Sequence, residues 1–378
     1  MRPRRLPTER KHMNTYRAGL VGCGRIGTLW ETDPPTPLTH AGGLAVCAQT
    51  ELVAGASRGN EHLQVFGRMW DVDALYLDYR QMLEQEKLDI VCVATHPGLH
   101  RDIVEAAVEN GAKGILCEKP LALSLEDGDA IVAACRSTGC VLSVNHSRRW
   151  NPAFIKAKEM LDDGAIGELI SMLGICQGVK PFPAWTADEE GPLIHDAVHT
   201  MDLFRIYAGD VKSVVGTAHR RRRHEFRVED ISDAIFSFHS GVSAVCMANE
   251  LTRYARFGLE LQGTDGVISL EYAGNQWLLG VDTTDRLNEP DSRIEWYTLE
   301  PQPFPAIEEA GSIQLAVEEL VRCIEDGGEP SSNGEDGVAS LEMVMGIYES
   351  QRQGNVPVEL PLADRSSQLY MLRDEGHF

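Results

Sequence analysis

The chain of 378 residues contains no apolar run long enough to cross a bilayer, and its basic opening, Met1 to Lys11, lacks the apolar centre of a secretion signal. Both absences point to the cytoplasm. The nine cysteines are scattered, without the close pairs that a zinc site or a disulfide framework needs, which fits a reducing compartment. Positive charge is scarce: 35 Lys and Arg face 57 Asp and Glu, for a formal net charge of −22. Such a surface repels phosphate backbones and anionic lipid, so nucleic acid and membrane are not expected as partners. The one internal basic run, Arg220 to Arg223, has no aromatic residues to stack on bases and reads as a solvated strand or loop end. Residues 1–14 read as a disordered leader, with Met13 an alternative start.

What is present is an ordinary globular composition, 43% hydrophobic and 24% charged, in a chain longer than one core usually serves. Two domains are expected. Tyr16 to Val21 is a short apolar run that leads into Gly22-Cys23-Gly24-Arg25-Ile26-Gly27, a G-x-G-x-x-G directly after a strand. The first glycine suits a tight turn, the second a close approach of backbone to a pyrophosphate, and the third the packing of helix on strand, so that the helix N-terminus faces the phosphates. Arg25 and Ile26 lie in that turn. Alone the motif is weak, but strand and helix patterns keep alternating after it, with strands at Leu52 to Ala56, Ile90 to Ala94, Gly114 to Cys117 and Val141 to Val144. This predicts a doubly wound α/β domain with a parallel sheet over residues 15–145. Trp30 to Pro37 is too rich in proline to extend the first helix and reads as an inserted loop beside the cofactor.

The second strand ends in Ser57-Arg58, where an acid would serve the ribose of NAD. A small hydroxyl beside a guanidinium suits a ribose 2′-phosphate, which favours NADP over NAD. In the alternative, Arg58 points to solvent and Asp71, Asp73 or nothing meets the ribose.

Val93-Ala94-Thr95-His96-Pro97, followed by Cys117-Glu118-Lys119-Pro120, resembles the Gfo/Idh/MocA family of glucose-fructose oxidoreductase and inositol dehydrogenase relatives. The resemblance implies that Thr95, His96, Pro97 and Glu118 lie along the cofactor, and that Lys119 meets the substrate beside the nicotinamide while Pro120 fixes the turn. From the residues alone, a lysine at the carboxyl edge of a parallel sheet sits where open α/β folds bind ligands, and its ammonium can polarise a carbonyl or hydroxyl oxygen. The competing reading of Glu118-Lys119 is a surface ion pair.

After Asn145 the alternation stops. Ile170 to Gln177, Ser213 to Ala218, Ala234 to His239, Val242 to Asn249 and Phe257 to Gln262 read as strands of one large, mainly antiparallel sheet, in an α+β domain over residues 146–378. Turns at Ser240-Gly241 and Thr264-Asp265-Gly266 join them. The resemblance implies that a helix over 338–350 packs back near the first domain, that Val356 to Leu362 adds an edge segment, and that the sheet pairs copies into a homodimer or homotetramer.

Pro192 suits the first turn of a helix, on which His195, His199 and Asp202 would share a face. In the family this helix carries an aspartate and a histidine four apart, then an aspartate three further on. His199 and Asp202 match; His195 stands in place of the first aspartate, with Asp196 one step round. A neighbouring imidazole in place of a carboxylate favours a neutral His199, which suits a base. Two other readings remain, a metal-binding His-x-x-x-His pair and histidines packed at a domain interface; no metal is expected. Arg148, Arg149 and Trp150 are candidates for the substrate side, although Arg149 equally suits an ion pair with a sheet-edge acid. Trp185 is a candidate lid, and Asp188-Glu189-Glu190 reads as solvated loop.

The resemblance implies a dehydrogenase or reductase of carbohydrate metabolism, passing hydride between nicotinamide and a secondary alcohol of a sugar, polyol or inositol-like substrate. His199 would take the hydroxyl proton, Lys119 would stabilise charge on that oxygen, His195 would orient the substrate or His199, and Asp202 would hold the His199 tautomer. Alternatives are a glycosidase using NAD transiently, a non-catalytic dinucleotide sensor, and an aldose or imine reductase.

Overall fold

The computed structural model describes residues 15–31, 37–178, 189–271, 273–283 and 297–378. The expected leader and Trp185 lie outside these residues. Strands β1 (Tyr16–Val21), β2 (Thr50–Ala56), β3 (Ala74–Tyr76), β4 (Ile90–Val93), β5 (Gly114–Cys117) and β6 (Val141–Val144) form a parallel sheet in the order β3-β2-β1-β4-β5-β6. Every residue of β4 and β5 is buried, as befits strands covered on both faces. Helices α1 (His40–Val46), α2 (Asn60–Trp70), α3 (Tyr79–Glu86), α4 (His100–Glu109) and α5 (Leu125–Thr138) follow the strands. The helix after the glycine motif is only a π-helical turn, Arg25–Leu29. Glu31 then closes the base of the proline-rich loop, accepting from the Thr39 hydroxyl at 2.6 Å and the Thr39 N–H at 3.1 Å.

The second half contributes α6 (Pro152–Asp162) and α7 (Val198–Ala208), and strands β7 (Leu169–Gln177), β8 (Val211–His219), β9 (Ile231–Phe238), β10 (Ser243–Asn249), β11 (Arg256–Gly263), β12 (Gly266–Glu271), β13 (Gly274–Asp282), β14 (Tyr297–Gln302) and β15 (Val358–Glu359). Among the described residues these strands form one sheet, β14-β13-β12-β11-β7-β10-β9-β8-β15, antiparallel except where β10 runs parallel to β7. The expected edge segment is β15, on β8. Strands β9 and β10 alternate buried with exposed residues because one face packs on the core and the other meets solvent. Beside this sheet, the backbone N–H groups of Arg221, Arg222 and Arg223 converge on the Asp230 carboxylate at 2.7–2.8 Å, which folds the basic run into a local turn.

Three late helices complete the molecule: α8 (Ser312–Asp326), α9 (Gly334–Arg352) and α10 (Gln368–Asp374). Helix α9, capped by reciprocal bonds between Asn333 and Asp336, packs on α5, α7 and β8, and so spans both halves. Helix α8 was not expected. Its Ile313, Ala316, Val317, Leu320 and Val321 join one buried cluster with Tyr16, Leu20, Leu44, Ile90 and Leu116, so a segment some 300 residues downstream of β1 covers one face of the first sheet. The strand pattern ends near 145, but the first sheet's core does not.

Leu320 is fully buried in this cluster. Leu320→Ala is expected to cost about 2–5 kcal/mol, read from the denaturant midpoint, which a helix merely resting on the surface would not do.

Candidate active site

A cleft of ≈ 1280 Å³ runs along the carboxyl edge of the parallel sheet and ends against the start of α7. Its volume exceeds that of an ordinary small-ligand pocket, about 300–1,000 Å³, and suits a dinucleotide with a small partner. At its centre Gly22 has φ +102°, and a Cβ there would lie 2.3 Å from the Ala94 carbonyl oxygen. At Gly27 a Cβ would lie 2.0 Å from the Gly22 oxygen, whereas at Gly24 it would meet nothing within 4 Å. Two glycines are thus required by crowding, and the middle one leaves open the cradle that a pyrophosphate needs. Gly22, Gly24, Arg25 and Ile26 line the cleft, with Gly27 buried behind them. Ser57 and Arg58 line one end together with His62, Asp78 and Arg80. Asp71, in left-handed conformation at the end of α2, and Asp73 do not line it.

Thr95, His96 and Pro97 follow β4 into the cleft. His96 Nδ1 accepts from the Gly98 N–H at 3.2 Å, so the neutral ring carries its proton on Nε2. That nitrogen lies 3.0 Å from Glu190 Oε1 and 3.1 Å from Glu189 Oε2.

Glu118, at the end of β5, is buried and lies 2.8 Å from His40 Nε2, while Asn145 Nδ2 donates to the same oxygen at 2.6 Å. Burial alone would raise its pKa; the contact with His40, the Lys119 charge and the Asn145 bond outweigh this and hold it at about 2. The next residue, Lys119, precedes a cis peptide to Pro120 and donates from Nζ to the His195 carbonyl oxygen at 2.5 Å. The end of the first sheet is thereby tied to the helix of the second half. That helix begins with a π-helical turn, Leu193–Ala197, before α7. His195, Asp196 and His199 all line the cleft, and His195 Nδ1 lies 2.8 Å from Glu190 Oε2. Glu190 is itself buried; its pKa, which burial would raise, is held at about 2 by bonds with His195 and His96.

The profile of the Gfo/Idh/MocA oxidoreductase family, an NAD-binding Rossmann fold, matches residues 16–146, and that of the family's C-terminal domain matches 154–269. The chain belongs to the Gfo/Idh/MocA family. It is 29% identical to a D-apiose dehydrogenase of Paraburkholderia graminis over 91% of this chain and 90% of that one. It is 27% identical to a scyllo-inositol 2-dehydrogenase (NAD(+)) of Bacillus subtilis over 91% and 96%. Among solved structures, an aldose-aldose oxidoreductase from Caulobacter crescentus complexed with glycerol shares the fold, with a TM-score of 0.77 at 23% identity over 92% of this chain and all of that one.

Within this Gfo/Idh/MocA site several expectations need correction. Asp202 does not line the cleft with His195 and His199: it lies nearly a turn beyond His199 on α7, fully buried and turned to an arginine in the interior. Its carboxylate is bound by Arg149, at 3.0 and 2.9 Å from Nε and 2.6 Å from Nη2, with His146 Nδ1 at 3.5 Å. Arg149 also bonds Asp336 at 2.9 Å, so it joins α7 to α9 and does not line the substrate side. Trp150 is buried, donates to Glu319 Oε2 at 2.9 Å and is likewise absent from the lining. Glu190, read as solvated loop, is the opposite. His40, the partner of Glu118, was also missed. Nothing local marks either residue, because their partners lie in other elements. Among the described residues no cluster of three His, Cys, Asp or Glu can hold a metal ion, and no helix is long and apolar enough to cross a membrane.

The depressed carboxylates set a pH dependence. A Glu118 ionising near 2 in the fold and near its ordinary 4.5 when unfolded adds stability that is fully present above pH 4.5 and lost as pH falls toward 2. The native chain is expected to lose on the order of 3 kcal/mol more than Glu118→Gln over that window, measured by denaturant unfolding at stepped pH.

Proposed function

We propose that this oxidoreductase oxidises a secondary alcohol of a sugar or polyol, or reduces the matching carbonyl, with NADP favoured over NAD. The observation that carries the reading is the Lys119 ammonium at the carboxyl edge of the sheet, 2.5 Å from the carbonyl of His195, on a cleft that His199 and the glycine turn also line. The residues fit the cofactor: the open space at Gly24 admits a pyrophosphate, with Arg25 beside it, and Thr95, His96 and Pro97 line the way to Lys119. A nicotinamide held by these residues would supply the hydride acceptor or donor. The protein's part is position and charge. Lys119 stabilises developing charge on the substrate oxygen, and an imidazole of the His195 and His199 pair takes the hydroxyl proton. The names of relatives that act on apiose and inositol support the substrate class.

For the cofactor, Arg58 and Arg80 line the end of the cleft beside Ser57, which supports a seat for a 2′-phosphate, and the acids Asp71 and Asp73 do not line it. The exposed Ile235, Val245 and Met247 on the outer face of the large sheet support pairing of copies, the net charge of −22 supports solubility and a small-molecule substrate, and the scattered free cysteines support a reducing cytoplasm.

The deciding assay follows reduction of NADP and NAD with a panel of sugars, inositols and sugar acids. With a substrate in hand, Lys119→Met is expected to lower kcat by at least about 100-fold with cofactor affinity nearly unchanged; equal losses in both count against the assignment. Arg58→Ala is expected to raise KM for NADP by about 10-fold or more, the worth of a charge-assisted phosphate contact, and to leave KM for NAD unaltered. A matching change for both cofactors would remove Arg58 from the 2′-phosphate site.

A further inference from the structure

Glu190 has no part in the roles assigned above, yet its carboxylate is buried and engaged at both oxygens. Its Oε1 lies 3.0 Å from Nε2 of His96, which also meets Glu189 at 3.1 Å. Its Oε2 lies 2.8 Å from Nδ1 of His195. An ionised carboxylate only accepts hydrogen bonds, so the short contact requires a proton on Nδ1 of His195. In the neutral ring the lone pair is then on Nε2. The His195 side chain is 30% exposed and lines the cleft at the Lys119 end.

We propose that Glu190 is a positioning residue: it fixes the proton of His195 on Nδ1 and thereby makes Nε2 of His195 the atom that accepts the substrate's hydroxyl proton. This rests on the oxidoreductase reading of the cleft. The carboxylate acts on the cleft from five residues upstream, through the His195 ring. In the oxidative direction the C–H bond breaks, its electron pair leaving as hydride to bound NAD(P), while the O–H proton moves to Nε2 and the C–O bond becomes double. The resulting imidazolium is stabilised by Glu190, which stays ionised. Among the described residues, the other charged or titratable groups facing His195 include Lys119 at its carbonyl, Asp196 beside it in the chain, and His199 on the next turn; His96 and Glu189 stand behind Glu190, with the Tyr370 hydroxyl 3.4 Å from Glu189.

Two readouts test the proposal on the full-length chain. Nitrogen-15 NMR of histidine-labelled protein, with the His195 signals assigned by their loss in His195→Asn, is expected to show the Nδ1–H tautomer at neutral pH; an Nε2–H tautomer overturns the proposal whether or not a substrate is known. This measurement uses the native chain and so stands even where a Glu190 variant does not fold. With a substrate, Glu190→Gln is expected to lower plateau kcat by at least about tenfold, as loss of a carboxylate behind a catalytic imidazole does. The acid limb of kcat/KM is expected to move to lower pH, because an imidazole without its carboxylate holds a proton less tightly, with KM for the cofactor unchanged. Glu190→Asp should restore part of the loss. An acid limb that stays in place in Glu190→Gln, or that survives in His195→Asn and is lost in His199→Asn, overturns the assignment to His195. Should the panel yield no turnover with the native chain, the oxidoreductase reading fails, and the tautomer still decides the Glu190–His195 contact.

Discussion

Burying a carboxylate without partners costs more than a domain of this size can spare, and around the cleft Glu118, Glu190 and Asp202 are all buried. Each is satisfied from a distant part of the chain. Glu118 meets His40, before the second strand, and Asn145, after the sixth; Glu190 meets His96 and His195; Asp202 meets Arg149, which also holds Asp336 of α9. Glu118 is satisfied within the first half and Asp202 within the second, whereas Glu190 takes one imidazole from each, so its burial couples assembly of the halves to formation of the site. The same logic explains why α9 is capped by Asp336: that carboxylate closes the helix N-terminus and accepts from Arg149 and Arg205 at once, its pKa lowered by these arginines against the opposing effect of burial.

This constraint also sorts the polar residues near the cleft into those that reach a ligand and those that hold the frame. Arginine is the better frame residue, because its planar fork binds a carboxylate at two points and stays charged. Arg149 does so with Asp202 and is thereby removed from the substrate side. Lysine carries a compact charge on a flexible stem, and Lys119, although bonded to the His195 carbonyl, stays on the cleft wall. An anchor on a backbone oxygen helps to fix its position and does not itself neutralise the charge. That suits a group whose task is to meet developing negative charge.

The legible parts of the sequence were those whose physics is local. The glycine spacing, the apolar strands that feed it and the Glu-Lys-Pro turn each depend on neighbours within a few residues, and the structure places all of them along the cleft. Strands β9 and β10 were readable from two-residue alternation, whereas β3 has only three residues and went unseen. Helix α8 shows a strong apolar stripe, but nothing in Ser312 to Asp326 says that its stripe belongs to a sheet begun at Tyr16. His195 and His199 share the cleft as helical spacing suggested, whereas Asp202, on the same helix, is drawn inward by Arg149, a partner that spacing along the helix does not reveal. Glu190 was misread because an acid in a loop is usually solvated, and one of the two imidazoles that bury it, His96, comes from the end of the first sheet.

The strongly acidic composition and the binding of a polyanionic cofactor are compatible because electrostatics in salt solution is local. At physiological ionic strength fields fall off over roughly 8 Å, so a net charge of −22 spread over the whole surface has little effect inside a cleft whose walls carry Arg25, Arg58 and Arg80. Acids on the same wall are engaged as well: Asp78 by the Arg80 N–H, Asp102 by the Arg80 guanidinium at 3.7 Å, Glu190 by two imidazoles, and Glu118 by His40, Asn145 and the Lys119 charge. An extended nucleic acid makes phosphate contacts along its whole length, whereas a dinucleotide needs only a few cations at its phosphates. The excess of acid elsewhere is therefore compatible with a short polyanion held by a few cations on the cleft wall.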